Sequence, residues 1–394
     1  MKKLLIYLLF FVLIPQLSGQ TISTKKIKSL ANESVQQYYV LKSELIGTNS
    51  FPRTYDKAKR KLITSKSDWW CSGFYPGSLL YLFELKGDTA LLHEAQRLLI
   101  PLSKEQFNTS THDLGFMMYC SFGNAYRLNP TPEYKQILIN SAKSLASRFN
   151  PTVGCIRSWD SKPEDFLVII DNMMNLEMLF WATKATGDST YAKIAISHAN
   201  TTMHNHFRSD YSCFHQVNYN PQNGTVKQRR TVQGYADGSS WARGQAWGLY
   251  GFTVMYRETH NPKYLEQANH IAGFILHHPR LPKDMIPYWD FDAPDIPNAP
   301  RDASAAALMC SALLELQQYV PGKLSKTYQM AAEKMFNSLS SNAYCVGRGE
   351  LGGFILDHST GNFPQKSEID APLSYADYYY LESMIRMKNI ILKD

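Results

Sequence analysis

The sequence lacks the short motifs that identify several large classes of enzyme. Its 394 residues contain no G-x-S-x-G serine-hydrolase motif, no H-E-x-x-H zinc motif and no Walker phosphate-binding loop. There is also no C-x-x-C pair and no histidine at metal-ligand spacing from a cysteine. These absences argue against a zinc enzyme or a P-loop enzyme, and no metal site is predicted.

The charge pattern excludes one class of partner. The formal net charge is +7, and it becomes +5 if Lys2 and Lys3 are removed with a leader segment. The basic residues are spread along the chain, without a basic stripe or a recognisable nucleic-acid-binding module, so no nucleic-acid partner is predicted. The mild positive charge fits an anionic small substrate, and an ordinary basic surface explains it equally well.

The N-terminus is typical of an export signal. Lys2 and Lys3 form a basic region, residues 4–14 an apolar core, and residues 17–19 a small-residue cleavage site that leaves Gln20 as the mature start. The apolar core is too short to span a membrane, and no cysteine follows the cleavage site to carry a lipid. We therefore expect a signal peptide over residues 1–20 and a single domain over 21–394, exported to the periplasm without a membrane anchor.

Cysteine is sparse and scattered. Cys120 and Cys310 lie in apolar helical runs and are predicted to be core residues. The fold is not predicted to depend on disulfides, although an isolated bridge is compatible with an oxidising compartment. The six cysteines are Cys71, Cys120, Cys155, Cys213, Cys310 and Cys345.

Strand signals are scarce, whereas helix signals recur in pairs. Five times, an apolar and aromatic-rich helix ends at a Gly-Asp, Asn-Pro or Pro-Gly break and a second helix follows. A sixth pair can be drawn from the two ends of the chain, residues 27–45 and 373–391. The other five are predicted over residues 79–85 and 90–99, 116–128 and 134–149, 176–186 and 191–203, 245–258 and 264–276, and 303–319 and 326–339.

Six such hairpins predict an all-α fold in which inner and outer helices close into an (α/α)6 barrel, a six-hairpin toroid. An open α-solenoid is the alternative, although its repeats are usually shorter, about 34 to 47 residues. Long loops rich in Trp, His, Arg and Asp connect the hairpins, and loops of this length inside a domain are usually functional. They are residues 65–77, 155–164, 209–243, 282–302 and 347–372.

Two aspartates at the starts of neighbouring inner helices are the candidate acid–base groups. Asp171 follows Ile169 and Ile170, and burial against apolar residues would raise its pKa towards that of a general acid. Asp171 and Asn175 are predicted to share one helix face. Asp113 lies 58 residues before Asp171, about one repeat, so a ring places both on the same rim, where one can stay neutral and the other ionised. The alternative is that each is a helix N-cap without contact to the other.

Aromatic and polar residues of the long loops are the candidate binding groups. His215, Gln233 and Arg243 come from the central loop, and a purely structural role is equally open for each. Arg243 can pair with a substrate carboxylate through two hydrogen bonds, or with a structural aspartate such as Asp237. Aromatic faces can stack on sugar rings, whereas core packing is the alternative for any single tryptophan. The tryptophans in or beside the loops are Trp69, Trp70, Trp159, Trp241, Trp247 and Trp289.

Four long stretches carry a resemblance to a known family. They are residues 69–77 (WWCSGFYPG), 112–116 (HDLGF), 171–176 (DNMMNL) and 233–248, where QGYAD precedes WARGQAWG. They occur in the family's order, and the resemblance as a whole covers nearly all of the mature chain. On these stretches the sequence resembles the unsaturated glucuronyl hydrolases, glycoside hydrolase family 88. The resemblance implies an (α/α)6-barrel catalytic domain, in agreement with the hairpin count.

The resemblance also implies a reaction. Family members remove a 4,5-unsaturated uronic acid from the non-reducing end of oligosaccharides left by polysaccharide lyases, and we expect substrates of the chondroitin, hyaluronan or heparin/heparan type. The C4=C5 vinyl ether is hydrated, and the resulting hemiketal opens and expels the remaining sugar without a metal or organic cofactor. By motif match, Asp171 donates a proton to C4 and Asp113 is the second essential carboxylate. The implied substrate-binding residues are Trp69, Trp159, His215, Gln233, Arg243 and Trp247.

Several alternatives stay open. Unsaturated rhamnogalacturonyl hydrolases share the barrel and the acid but act on pectin fragments. Residues 243–247 (RGQAW) resemble the glucuronyl group, whereas the pectin group more often has RGNGW. A catalytically inactive sugar-binding toroid and a chain-cleaving lyase are further alternatives. Val232 stands where some family members have His, and the loop with Lys366 and Ser367 departs from the sulfate-recognising pattern of chondroitin-type enzymes. The sulfation preference therefore stays open, as does the oligomeric state.

Overall fold

Twelve α-helices form the framework of residues 22–392, the part of the chain that the computed structural model describes. The predicted signal peptide over residues 1–20 lies outside the described residues. The helices are α1 (Thr24–Glu44), α2 (Phe74–Lys86), α3 (Thr89–Leu102), α4 (Asn124–Leu128), α5 (Pro132–Ala146), α6 (Leu176–Thr186), α7 (Thr190–Asn205), α8 (Ala242–Thr259), α9 (Pro262–His277), α10 (Ala303–Leu316), α11 (Gly322–Leu339) and α12 (Ser374–Ile391).

The inner helices close into a ring. A π-helix (Gly115–Gly123) precedes α4, and a 3₁₀ helix (Ile170–Asn175) precedes α6. With these extensions α2, α4, α6, α8, α10 and α12 each contact the next, and α12 contacts α2. The odd-numbered helices lie outside, and α1 from the N-terminal end completes the outer layer. The predicted (α/α)6 barrel is confirmed, including the sixth pair built from the two chain ends, and the open solenoid is wrong.

The helix pairs form because the breaks between them favour a stop and a restart. Gly87 and Gly187 end α2 and α6 in the left-handed conformation, with φ of 71° and 78°, which glycine adopts without steric penalty. Thr131 and Asn261 each accept a hydrogen bond from an N–H in the first turn of the outer helix that follows. These local signals are the ones from which the hairpins can be predicted.

Short strands occupy parts of the loops, where the sequence predicts none. In residues 22–392 they pair antiparallel into four small sheets. The three-stranded sheet matters most for the site, because it pairs Ile169 with Gln216. The strands are β1 (Phe51–Asp56), β2 (Lys61–Ser65), β3 (Phe149–Asn150), β4 (Cys155–Ile156), β5 (Phe166–Ile169), β6 (Gln216–Tyr219), β7 (Val226–Arg230), β8 (Ser359–Asn362) and β9 (Ser367–Ala371).

The cysteines stabilise the fold by packing and not by bridging. All six lie among the described residues, and all are free thiols. Cys310 is buried in α10 as predicted, whereas Cys120 is only partly buried beside the barrel lumen. Among the helices of residues 22–392, none has the length and apolar character that crossing a bilayer requires.

Gly115 lets two inner segments approach closely. A Cβ at this position would lie 2.5 Å from the Cα of Asn175, a backbone atom that cannot rotate away. We expect Gly115→Ala to lower the free energy of unfolding by about 1–3 kcal/mol through overpacking, measured by chemical denaturation. The matched control is Gly273→Ala within α9, where the added methyl has no described atom within 4 Å apart from the backbone of its own helix and its chain neighbours. Unchanged stability of Gly115→Ala would contradict the close approach.

Candidate active site

A small cavity lies where the inner helices begin. Its volume is about 70 Å³, well below the roughly 300–1,000 Å³ of pockets that enclose a whole small molecule. A cavity of this volume has room for only part of a small molecule. Asp113 and Asp171 both face it, so the structure brings the two predicted carboxyls together. The lining residues are Trp70, His112, Asp113, Trp159, Ile169, Asp171, Gln233 and Arg243.

Asp171 is positioned by the turn from β5 into the 3₁₀ helix. Neither this helix nor α6 receives a capping hydrogen bond from a side chain, so the N-cap alternative is wrong for Asp171. A 3₁₀ helix has about three residues per turn, so Asp171 and Asn175 do not share a face, contrary to expectation. Asn175 instead accepts a hydrogen bond from the Phe116 N–H, 3.1 Å away, and ties the two inner segments together.

Burial raises the pKa of Asp171 to about 7. Loss of solvent is the largest cause, and the negative charge of Asp113 acts in the same direction. The positive charge of Arg243 and the indole N–H of Trp247 oppose it. Oδ2 of Asp171 is buried and has no hydrogen-bond partner among the described residues. A pKa raised this far lets the carboxyl hold a proton near neutral pH, which is the requirement for a general acid.

Asp113 has a similar environment. Burial raises its pKa to about 7, against the hydroxyl of Thr111 and the charge of Arg148, which lower it. The Thr111 hydroxyl donates to Oδ2 of Asp113 over 3.2 Å, and no side chain caps the π-helix that follows. The cap alternative is thus wrong for Asp113 as well. Two carboxyls that face one cavity and titrate in the same range can share their roles as proton donor and acceptor.

His215 lies behind Asp171 and not on the cavity wall. Its Nδ1 accepts hydrogen bonds from the N–H groups of Val232 and Gln233, 3.0 and 3.3 Å away. The proton therefore sits on Nε2, which lies 3.6 Å from Oδ2 of Asp171. Burial, helped by the charge of Arg243, lowers the pKa of His215 to about 3. His215 is thus a neutral N–H donor aimed at Asp171 and cannot itself supply a proton near neutrality.

Arg243 is held from several sides in the first turn of α8. Its Nη1 donates to Asp302 over 2.8 Å and to the carbonyl of Thr360 over 2.6 Å. Its Nη2 donates to Oε1 of Gln233 over 3.2 Å and to the carbonyl of Gly361. The structural partner is thus Asp302, and the predicted Asp237 is wrong. Both terminal nitrogens of Arg243 already donate hydrogen bonds within the protein. Arg243 therefore orients Gln233 and the β8–β9 segment and is not free to bind a ligand carboxylate through two hydrogen bonds.

The tryptophans divide between the cavity and its supports. Trp159 lines the cavity as predicted for a binding residue, whereas Trp70 lines it in place of Trp69. Trp69 is 41% exposed and lies against the guanidinium of Arg53, 4.4 Å from the ring centre. Trp247 is 1% exposed and is absent from the cavity wall. Neither Trp69 nor Trp247 lines this cavity, and their roles in substrate binding stay predictions.

Three wall residues lie beyond the predicted set: Trp70, His112 and Ile169. His112 is 2% exposed, and its Nε2 lies 3.3 Å from Oδ1 of Asp113. Burial lowers the pKa of His112 to about 3, so it is neutral beside its aspartate. The sequence feature that could have identified His112 as a site residue is its position directly before Asp113 in the HDLGF stretch. Among the described residues, no group of three or more His, Cys, Asp or Glu side chains is arranged to hold a metal ion.

The chain belongs to glycoside hydrolase family 88. Residues 47–389 match the family described as Glycosyl Hydrolase Family 88. An "Unsaturated glucuronyl hydrolase" from Formosa agariphila is 48% identical over 372 residues, covering 94% of this chain and 91% of that protein. The barrel and its carboxyl-lined cavity therefore sit in a family of glycosidases.

Solved structures agree with this assignment. A crystal structure described as an unsaturated glucuronyl hydrolase specific for heparin superimposes with a TM-score of 0.89 at 46% identity, covering 92% of this chain and 97% of that one. An Asp-to-Asn variant of the unsaturated glucuronyl hydrolase of Streptococcus agalactiae, complexed with dGlcA-GalNAc6S, gives a TM-score of 0.81 at 28% identity, covering 94% and 93%. Both proteins share the fold over almost the whole described chain.

The ion pair of Arg243 and Asp302 provides a stability test. Asp302 is fully buried, so Arg243→Met leaves an unpaired charge, and we expect a loss of about 3–5 kcal/mol in the free energy of unfolding. The double variant with Asp302→Asn removes that charge and keeps the Oδ1 that caps α10, so we expect it to recover part of the loss. Thermal and chemical denaturation measure both. Wild-type stability of Arg243→Met would show that the pair does not hold the site.

Proposed function

We propose that this protein is an unsaturated glucuronyl hydrolase. It removes the 4,5-unsaturated uronic acid from the non-reducing end of glycosaminoglycan oligosaccharides that lyases release. The observation that carries the proposal is the pair of desolvated carboxyls, Asp113 and Asp171, facing one cavity at the mouth of the barrel. The glucuronyl substrates in the names of the relatives and solved structures favour glycosaminoglycan fragments over the pectin alternative.

The reaction begins with protonation of the alkene. Asp171 gives its proton to C4, which leaves positive charge on C5 shared with the ring oxygen. Water adds to C5 and loses a proton either to the Asp171 carboxylate directly or to Asp113, which then passes a proton back to Asp171, so that the acid is restored. The C5 hemiketal then opens to a ketone, C1 becomes an aldehyde, and the remaining sugar leaves with its hydroxyl. One water is consumed, and no metal or cofactor takes part.

The surrounding groups set the roles in this scheme. His215 and His112 are neutral, because burial holds their pKa values far below 7, so the proton must come from a carboxyl. Gln233 has its Oε1 fixed by Arg243, which turns its NH₂ group into the free donor for a substrate carboxylate. Trp159 offers an aromatic wall for the sugar ring. Arg243 acts as a positioning residue through Gln233.

The site of action is part of the proposal. The basic Lys2 and Lys3, the apolar residues 4–14 and the small residues 17–19 support export and cleavage before Gln20. We place the mature protein in the periplasm, where oligosaccharides from an extracellular or periplasmic lyase would reach it. Comparing the N-terminal sequence and fractionation of the expressed protein with a variant lacking residues 1–19 tests this placement.

A panel of unsaturated disaccharides tests the activity. Lyase products of chondroitin, hyaluronan and heparin, with and without sulfate, and of pectin are followed by ultraviolet absorbance. We expect the enol absorbance to fall with at least one glycosaminoglycan disaccharide. We expect Asp171→Asn to lower that rate at least about 100-fold, and the exposed Asp295→Asn to leave it unchanged. Loss with pectin products alone would favour the rhamnogalacturonyl alternative, and rising absorbance on intact polysaccharide would indicate a lyase.

The pH profile tests the role of the raised pKa. Because the pKa of Asp171 lies at about 7, the proton-donating form is present below that pH and is lost as pH rises through it. We therefore expect kcat/KM to fall on the alkaline side with an apparent pKa near 7. The measurement is the disaccharide rate in overlapping buffers of constant ionic strength. A rate that stays level to about pH 9 would exclude a carboxyl of this pKa as the acid.

A further inference from the structure

A second and larger cavity occupies the other end of the barrel. Its volume is about 440 Å³, within the roughly 300–1,000 Å³ typical of small-molecule sites. Phe116, Trp247 and Tyr379 separate it from the first cavity, with Trp247 centred 5.0 Å from Phe116 and 5.8 Å from Tyr379. The two cavities share no lining residue. The proposed hydrolysis therefore gives this space no role.

Aromatic rings form one wall of the second cavity. Trp181 of α6 meets Tyr126 of α4 edge-on, with ring centres 5.5 Å apart, and lies 6.5 Å from Tyr119 of the π-helix. All three are only partly buried and line the cavity. Tyr379 lines it too, and its hydroxyl has no hydrogen-bond partner among the described residues although the side chain is 2% exposed. This is a concave aromatic surface with an unused polar group.

Glu177 brings a carboxylate to this aromatic wall. Its Oε1 accepts a hydrogen bond from Arg257, 2.5 Å away, whereas Oε2 has no partner among the described residues. Burial is the main cause that raises the pKa of Glu177. Arg257 opposes this shift, and the negative charges of Glu315, Glu382 and Glu258 add to it. Glu177, Glu258, Glu315 and Glu382 face three cations, Arg257, Arg386 and Lys184, so one negative charge of this cluster is not balanced.

The other charged side chains on the cavity wall are already paired. Arg127 binds Glu84 through two hydrogen bonds of 3.1 and 2.6 Å. Glu382 accepts from two tyrosine hydroxyls and one serine hydroxyl. Arg386 lies 2.6 Å from Glu315. Among the charged residues that line the cavity in residues 22–392, Glu177 is therefore the one with a carboxylate oxygen, Oε2, that has no hydrogen-bond partner.

We propose that this second cavity binds a small organic cation. Its ammonium group would sit against Oε2 of Glu177, and its body between the rings of Tyr119, Tyr126 and Trp181. Aromatic faces attract ammonium groups, and the attraction grows when the site excludes water. A carboxylate beside the rings adds a charge-assisted contact. A neutral sugar could stack on the aromatic rings, but it would not pair with the unbalanced negative charge.

Calorimetric titration of the full-length protein tests this proposal. The probes are tetramethylammonium and glucosamine, with N-acetylglucosamine as the neutral counterpart, all at constant ionic strength. We expect both cations to bind with a dissociation constant of about 1 mM or below and N-acetylglucosamine to bind at least about tenfold more weakly. Equal affinity for N-acetylglucosamine, or no binding of either cation up to about 10 mM, would overturn the proposal.

Matched variants locate the binding. We expect Glu177→Gln and Trp181→Leu each to weaken tetramethylammonium binding at least about tenfold, while Glu133→Gln, at an exposed position of α5, leaves it unchanged. Retained disaccharide hydrolysis in Glu177→Gln shows that the fold is intact, and this variant decides alone if Trp181→Leu does not fold. Cation binding that survives Glu177→Gln at full affinity would place it elsewhere and overturn the proposal.

Discussion

Desolvation of two carboxyls at one end of the barrel is the constraint on which the site depends. An aspartate at the start of a helix is usually a cap, and its pKa is then lowered by the helix N–H groups. Asp113 and Asp171 stand at such starts, yet neither caps the helix that follows. Burial therefore dominates, and both pKa values rise to about 7. If Asp113 and Asp171 were N-caps of ordinary helices, both would be ionised at neutral pH and neither could donate a proton.

The rest of the site keeps these carboxyls in place without neutralising them. His215 is fixed by two backbone N–H groups and turns a neutral N–H towards Asp171. Arg243 lies close enough to lower the pKa of Asp171, but its strongest contact is the buried Asp302 at the start of α10. Because its charge is largely balanced there, it does not hold Asp171 ionised. The barrel thus separates the cation that organises the loops from the buried carboxyl of Asp171.

The sequence predicts the barrel better than the details of the site. Hairpins are readable because Gly87, Gly187, Thr131 and Asn261 specify helix ends through local chemistry. The pairing of Asp113 and Asp171 follows from one repeat length. Long-range contacts are not readable in this way. Arg243 contacts Asp302, which lies 59 residues further along the chain. The sequence also does not predict that Trp70 faces the cavity and the adjacent Trp69 does not. Strands as short as two residues leave no periodicity to detect.

The most direct test of the central claim is the protonation of Asp171 itself. Carboxyl carbon NMR of protein labelled at aspartate, with the resonance assigned by Asp171→Asn, follows this group through a pH titration. The account predicts a midpoint near pH 7. It also predicts a shift of that midpoint to lower pH in Asp113→Asn, because the charge of Asp113 raises the pKa of Asp171. A midpoint near 3.8, the ordinary value for an aspartate, would show that the carboxyl is solvated and ionised and would contradict the account.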